Sequence, residues 1–322
     1  MQTKKIITAK ELIEMEMKKM TWYVNEILPE GVTLVVAKPK VGKSALILYL
    51  MVQIALQNKI WDTFSTKKAK ILYLPYDDPM RRMKDRITRI SEALNIGNLE
   101  QLNNLYVRNK EELKKISVKD NLVSVFSEIK QAGFDIVIID TLHLAFDFKH
   151  YDFNVYKNEY DNMSLIKKTA EELGLSLVIV HHAKKGESLD VIDAASGSNG
   201  MTGAVDTIWT IINSQFDNSK LLHVTGKEVE TNTYQLQMEP DTFLWSMLPS
   251  EEPLYKFSTS SPEQMALLKF MQESNNEIGS GDLAAKFKRT PSAISQGLRK
   301  LERKGYVHSP RYGKWALAMS KA

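Results

Sequence analysis

The sequence predicts a three-layer α/β domain with a mostly parallel sheet, followed by a small helical domain closed by a strand pair. Between residues 31 and 212, short β-branched runs alternate with longer amphipathic stretches, an order that builds a sheet with helices on both faces. The strand candidates are almost continuously apolar, as strands covered on both sides must be. After residue 261 the pattern changes to three short helical periods with cap-like starts.

The strand candidates are VTLVV (32–36), ILYL (71–74), IVII (136–139), LVIV (177–180) and DTIWTII (206–212). Helical patterns lie near 43–57, 79–95, 118–132 and 159–174, long enough to cross between parallel strands. Three further strand-like runs, 221–225, 233–238 and 243–247, are joined by turn-like segments and predict an antiparallel extension of the sheet. Three prolines and four serines crowd residues 249–262, as in a linker. The expected division is an N-terminal segment 1–21, an α/β domain 22–248, a linker 249–261 and a C-terminal domain 262–322.

The 322 residues, 43% apolar and 25% charged, have the make-up of a globular chain. No run reaches the roughly 18 uncharged apolar residues of a membrane span. The first 20 residues lack the apolar centre of a secretion signal, so a cytoplasmic protein without membrane contact is expected. Zero cysteines exclude disulfides, thiol nucleophiles and thiolate metal sites. The net charge of +4 is unevenly placed. From residue 256 onward 12 Lys/Arg face 5 Asp/Glu, a local +7, and the 31 basic and 34 acidic residues before it leave −3. That asymmetry suits a tail domain that meets a polyanion, although a merely soluble basic surface would read the same.

Directly after the first strand comes A-K-P-K-V-G-K-S, Ala37 to Ser44, and then an apolar helix. It fits the phosphate-loop pattern G-x-x-x-x-G-K-[ST] with alanine first, tolerable where that residue keeps a negative φ. Ala37, Lys38, Pro39, Lys40, Val41, Gly42, Lys43, Ser44 and Ala45 are the expected nucleotide contacts. Gly42 permits the sharp turn that converges N–H groups on phosphate, where the helix N-terminus adds partial positive charge. Lys43 offers a point charge to the β- and γ-phosphates, and Ser44 a hydroxyl ligand for Mg²⁺. A basic turn capping a helix is the competing reading. The run F-D-I-V-I-I-D-T ends at Asp140, the kind of strand-end carboxylate that holds Mg²⁺ through water.

The second strand runs into Asp77 and Asp78 and a basic helix, RRMKDRITRI, and the fourth ends in His181-His182. Six landmarks then stand in order: W-Y-V-N-E-I-L-P-E-G (22–31), K-P-K-V-G-K-S (38–44), Y-L-P-Y-D-D (73–78), V-I-I-D-T-L (137–142), V-H-H-A-K-K-G (180–186) and G-S-N-G-M-T-G-A-V-D-T (197–207). On these, the chain resembles the RepA-type branch of the RecA-like P-loop ATPases, whose best-known members are ring-shaped plasmid replicative helicases. The resemblance spans about residues 22–230. It implies a RecA-like three-layer αβα domain, ATP and Mg²⁺ as cofactors, DNA-stimulated hydrolysis, and self-assembly into a hexameric ring around single-stranded DNA.

By position, Asp77 falls where the family has the glutamate that orients the attacking water; Asp77-Asp78 replaces Glu-Asp and is one methylene shorter. A helix cap is the alternative for Asp77. His182 would sense the γ-phosphate. A metal pair with His181 is disfavoured because neighbouring strand residues point to opposite faces. No arginine stands between Arg108 and Arg289, and Gly226-Lys227-Glu228 replaces the family's G-R-[DE]. Lys227 is therefore the candidate trans-acting cation, a weaker clamp than a guanidinium, or else a partner of a surface carboxylate. Lys184 and Lys185 fall in the segment expected to touch the backbone of single-stranded DNA, or an unordered loop. The aromatic-rich stretch 147–162 is a candidate gate.

Residues 261–317 resemble a winged helix-turn-helix, with Pro291 opening a helix that Gly305 ends and a strand pair around 311–313. In duplex DNA, Ser292, Ser295, Gln296 and Arg299 would face bases, and Lys288, Arg289, Lys300, Arg303, Arg311 and Lys314 phosphates. Ile294, Leu298 and Leu301 are core by periodicity. The same fold is also used for protein contacts alone. The reading that emerges is an ATP-dependent DNA-acting motor. The alternative is an ATP-switched DNA-binding initiator or regulator that oligomerises without unwinding. A small-molecule kinase is disfavoured because the core lacks an arginine-rich lid.

Overall fold

Six consecutive buried residues, Val32–Ala37, form β1 near the middle of a nine-stranded sheet. The computed structural model describes residues 6–17, 19–148, 155–182, 199–214, 217–249, 262–274, 277–303, 306–311 and 313–318. Val35 and Ala37 enter one apolar core and Val32, Leu34 and Val36 another, the alternation that two-sided burial of a strand requires. The remaining strands are β2 (Ile71–Pro75), β3 (Leu105–Val107), β4 (Ile136–Asp140), β5 (Ser176–His182), β6 (Thr207–Asn213), β7 (Lys220–Gly226), β8 (Asn232–Met238) and β9 (Trp245–Met247). Their order across the sheet is β9-β8-β7-β6-β1-β5-β4-β2-β3.

From β6 to β3 every pairing is parallel, and from β6 to β9 every pairing is antiparallel. Ala37 lies opposite His182, Asp140 opposite Val180, and Pro75 opposite Asp140. The register therefore gathers the carboxyl ends of β1, β5, β4 and β2 along one edge, where open α/β sheets bind ligands.

Helix α1 (Lys43–Leu56) buries all but two of its residues, as a helix apolar on every side must. It packs on one face of the sheet together with Met83 and Ile90 of α2 (Met80–Ala93). The other face is covered by Leu122, Phe126 and Ile129 of α3 (Leu122–Gln131) and by Met163, Ile166 and Ala170 of α4 (Val155–Leu173). This is a mostly parallel sheet flanked by helices, as expected.

Three details differ from expectation. β3 is a sixth parallel strand, three half-exposed residues long and too short to show a period. The run 243–247 is strand only from Trp245, because Phe243 sits at φ 57° in the turn after β8. The N-terminal segment holds a one-and-a-half-turn helix, Ala9–Glu14, closed by a capping box between Thr8 and Glu11 and burying none of its residues.

The C-terminal residues form helices α5 (Pro262–Ser274), α6 (Ser280–Lys286) and α7 (Pro291–Arg303) with a small antiparallel sheet, Ile278–Gly279, Lys314–Leu317 and Val307–Arg311 in that order. They enclose their own core, which includes Ile294, Leu298 and Leu301 as the periodicity predicts, with Leu267, Leu283 and Trp315. The linker from 250 to 261, and residues 149–154 of the aromatic-rich stretch, lie outside the described residues. Among the described residues no helix is long and apolar enough to cross a membrane.

Candidate functional site

β1 delivers the loop 38–42 to the start of α1 at the carboxyl edge of the sheet. Lys40 and Gly42 both adopt left-handed backbone, φ 66° and 99°, so the loop reverses twice within three residues. Gly42 caps α1 with no side-chain hydrogen bond, and its carbonyl accepts from Leu46 N at 2.9 Å. A helix N-terminus without a side-chain cap presents N–H groups suited to an anion.

Lys43 is 5% exposed, and its Nζ donates to His182 Nδ1 across 2.8 Å. Burial lowers the pKa of this lysine, against the upward pull of Asp140, Asp77 and Asp78. Burial also lowers the pKa of His182, with the charge of Lys43 acting in the same direction. A neutral imidazole that accepts at Nδ1 carries its proton on Nε2, and Nε2 faces Asp77 Oδ2 at 3.9 Å. Lys43, His182 and Asp77 thus form one polar chain across three different strand ends.

Asp140, 3% exposed at the end of β4, accepts from the Tyr73 hydroxyl at 2.8 Å and from the Ser44 hydroxyl. Burial raises its pKa, and these two hydrogen bonds and Lys43 oppose the rise. Asp77 is anchored by its backbone: its N–H donates to Asp140 O at 3.1 Å and its carbonyl accepts from Lys110 Nζ at 3.2 Å.

The neighbouring carboxylates are divided in role. Asp78 is buried and ion-paired to Arg82 and Arg86, while the Asp77 side chain stays 59% exposed. Pro79 is the N-cap residue of α2 and no side chain caps it, so Asp77 is not a helix cap. His181 is buried edge-on to His143, with ring centroids 5.0 Å apart. Among the described residues no group of three His, Asp or Glu is set to hold a metal. The adjacent oxygens of Ser44 and Asp140 do fit Mg²⁺, which takes few protein ligands and completes its shell with phosphate and water.

Lys227 stands elsewhere. Its Nζ lies 3.4 Å from Asp206 Oδ1, beside an ion pair between Asp206 and Lys167, and Asp206 Oδ2 accepts from Val32 N at 3.0 Å. These groups mark the amino ends of β1 and β6, the edge opposite the phosphate loop, where Lys227 lines a cleft of about 480 Å³ with Gly31, Asp135 and Ser176. Within one chain it is not part of the loop's site. Lys184 and Lys185 lie outside the described residues.

In the C-terminal domain, Ser292, Gln296, Arg299 and Arg303 are exposed on one stripe of α7, and Ser295 is half-buried beside them. Lys288, Arg289 and Lys300 are exposed too, Arg311 pairs with Glu277 at 2.9 Å, and Lys314 lies 3.9 Å from Asp282.

Sequence reasoning passed over Tyr73, Lys110 and Trp245. Each acts through a contact across the fold: Trp245 lies against Gly42, close enough for a Cβ there to sit 3.2 Å from its Cζ2. Only a tyrosine inside an apolar strand was a visible signal.

A family model described as AAA domain matches residues 5–188, which include the loop, Asp77, Asp140 and His182. No curated protein matches the chain. Two solved structures are similar. One, described as an ATPase domain, shares 15% identity over 68% of this chain and 85% of its own, with a TM-score of 0.52. A DnaB-like replicative helicase, described with its interactions with primase, shares 15% identity over 74% of this chain with a TM-score of 0.54. The match spans 62% of that helicase's length. At such identity the likeness is one of fold, a RecA-like P-loop α/β domain.

Proposed function

The chain belongs to the AAA domain family, and from that premise we propose an ATP-dependent DNA-acting motor of the RepA-like ring-helicase type, working in replication of a plasmid or mobile element in the cytoplasm. The observation that carries it is the polar chain Lys43–His182–Asp77 beside the buried Asp140–Ser44 pair. In this reading the loop amides and Lys43 bind the β- and γ-phosphates of ATP, and Ser44 and Asp140 hold Mg²⁺, which neutralises phosphate charge. Asp77 Oδ2 orients the attacking water. His182, held between Lys43 and Asp77, registers loss of the γ-phosphate as a change in both contacts. Hydrolysis of ATP stimulated by single-stranded DNA is expected, and Lys43→Ala abolishes it; equal turnover in wild type and variant defeats the proposal.

The DNA-acting part rests on the +7 tail and on α7, whose exposed stripe suits the major groove as the recognition helix of a winged helix-turn-helix. Lys184 and Lys185 would follow single-stranded DNA through the pore of a hexamer, and Lys227 would complete a neighbour's site. One observation favours a second reading. Lys227 is already engaged by Asp206, as in a chain that binds ATP and oligomerises on DNA without unwinding it. A forked-DNA assay separates the two: ATP-dependent strand displacement supports the motor, and ATP-dependent binding without displacement supports the regulator.

A further inference from the structure

We infer that Trp245 is a positioning residue for the phosphate loop, and that the β8–β9 hairpin is a brace joining the two halves of the site. The inference deepens the reading of that loop as a nucleotide site and rests on it for its binding arm.

The contact is close. A Cβ on Gly42 would meet Trp245 Cζ2 at 3.2 Å and Cη2 at 3.3 Å, with Met238 Sδ at 3.9 Å behind them. Gly42 holds φ 99°, a conformation that glycine adopts readily and other residues rarely, and its missing Cβ leaves room for a close neighbour. The indole ring, 2% exposed, fills that space. Its Nε1 has no hydrogen-bond partner among the described residues, although a buried donor left unpaired is destabilising. The ring is therefore held for its shape against the loop and not for its polar group.

The same hairpin reaches the second half of the site. Phe243, two residues before Trp245, faces the guanidinium groups of Arg86 and Arg89 at 6.0 and 5.6 Å, within the range of cation–π attraction. Arg86 pairs with the buried Asp78, next to Asp77. The turn itself is closed by Phe243 N to Glu239 O and Glu239 N to Leu244 O, both 2.9 Å. One hairpin thus meets the loop that would hold the phosphates and, through Phe243, the helix whose Arg86 pairs with Asp78.

The test uses the full chain and three variants. Trp245→Phe keeps a smaller ring and withdraws the Cζ2 and Cη2 atoms, Trp245→Leu removes the ring, and Trp209→Leu removes a different buried indole, which donates to Ile27 O at 3.1 Å. Backbone hydrogen exchange is first measured without nucleotide. Trp245→Leu is expected to speed exchange in peptides covering 38–46 at least tenfold, Trp245→Phe is expected to speed it by a smaller factor, and Trp209→Leu is expected to leave those peptides unchanged. Affinity for Mg-ADP is then measured by calorimetry, with a tenfold or greater loss expected for Trp245→Leu alone. Unchanged exchange in Trp245→Leu, or equal loosening in Trp209→Leu, overturns the positioning role. If wild type binds no Mg-ADP, the nucleotide reading fails, and the exchange result still decides whether Trp245 sets the loop.

Discussion

Tyr73 is wholly buried and donates to a carboxylate that burial pushes toward the neutral form. Its hydrogen bond favours ionised Asp140, so Tyr73→Phe raises that pKa further, and the acid limb of the pH–activity profile moves to higher pH. Hydrogen bonds to charged groups contribute about 1.5–3 kcal/mol, so a calorimetric Tm several degrees lower is expected. Histidines give a second prediction. Burial lowers the pKa of both His182 and His223, so the unfolded chain binds more protons between the folded value and about 6.5. Stability then rises with pH across that window and is lost on acidification. The fall in Tm from pH 7.5 to 5.5 is expected to shrink in His182→Asn/His223→Asn. Lys43, Asp140 and His182 were legible because each sits in a local run of distinctive residue types. The division of Asp77 from Asp78 was not, because it depends on where Arg82 and Arg86 reach from the next helix.

Elements turn on a few backbone positions. Gly31, just before β1, has φ 105°, and a Cβ there would stand 2.7 Å from Asp206 Oδ2. Gly31→Ala would displace the carboxylate that accepts from Val32 and pairs with Lys167 and Lys227. A cost of about 1–3 kcal/mol is expected, read from urea unfolding. The long strands and α1 were legible as continuous apolar runs, and α2 to α4 from periodicity, since burial of one face writes itself into residue spacing. β3 and the late start of β9 were not. One is too short to repeat, and the other is set by a turn that no apolar pattern records. For α7, Arg299→Ala is expected to weaken specific duplex binding by about 1–3 kcal/mol, whereas Lys300→Ala lowers the salt slope by about one with little change in sequence preference. Fluorescence anisotropy across a salt series separates them.

The whole chain divides its chemistry between two ends of the sheet. Lys43, His182, Asp77 and Asp140 meet at the carboxyl edge, and Lys227 waits with Asp206 at the amino edge. A protomer whose cation lies so far from its own loop suits head-to-tail assembly, in which one copy's amino edge faces the next copy's carboxyl edge. Light scattering is expected to show a larger mass with a non-hydrolysable ATP analogue than without. The ring and a trans-acting Lys227 were expectations of the sequence, but the placement of Lys227 at the amino edge was not legible, because sequence position does not say which edge a residue leaves from. The sheet ends on either side in a strand of only three residues, β3 and β9. Such stubs give a neighbouring chain roughly 10 Å of backbone to grip. Edges this short disfavour fusion of copies into one continuous ribbon and favour contacts through side chains and loops, joints that pivot without tearing a ladder apart.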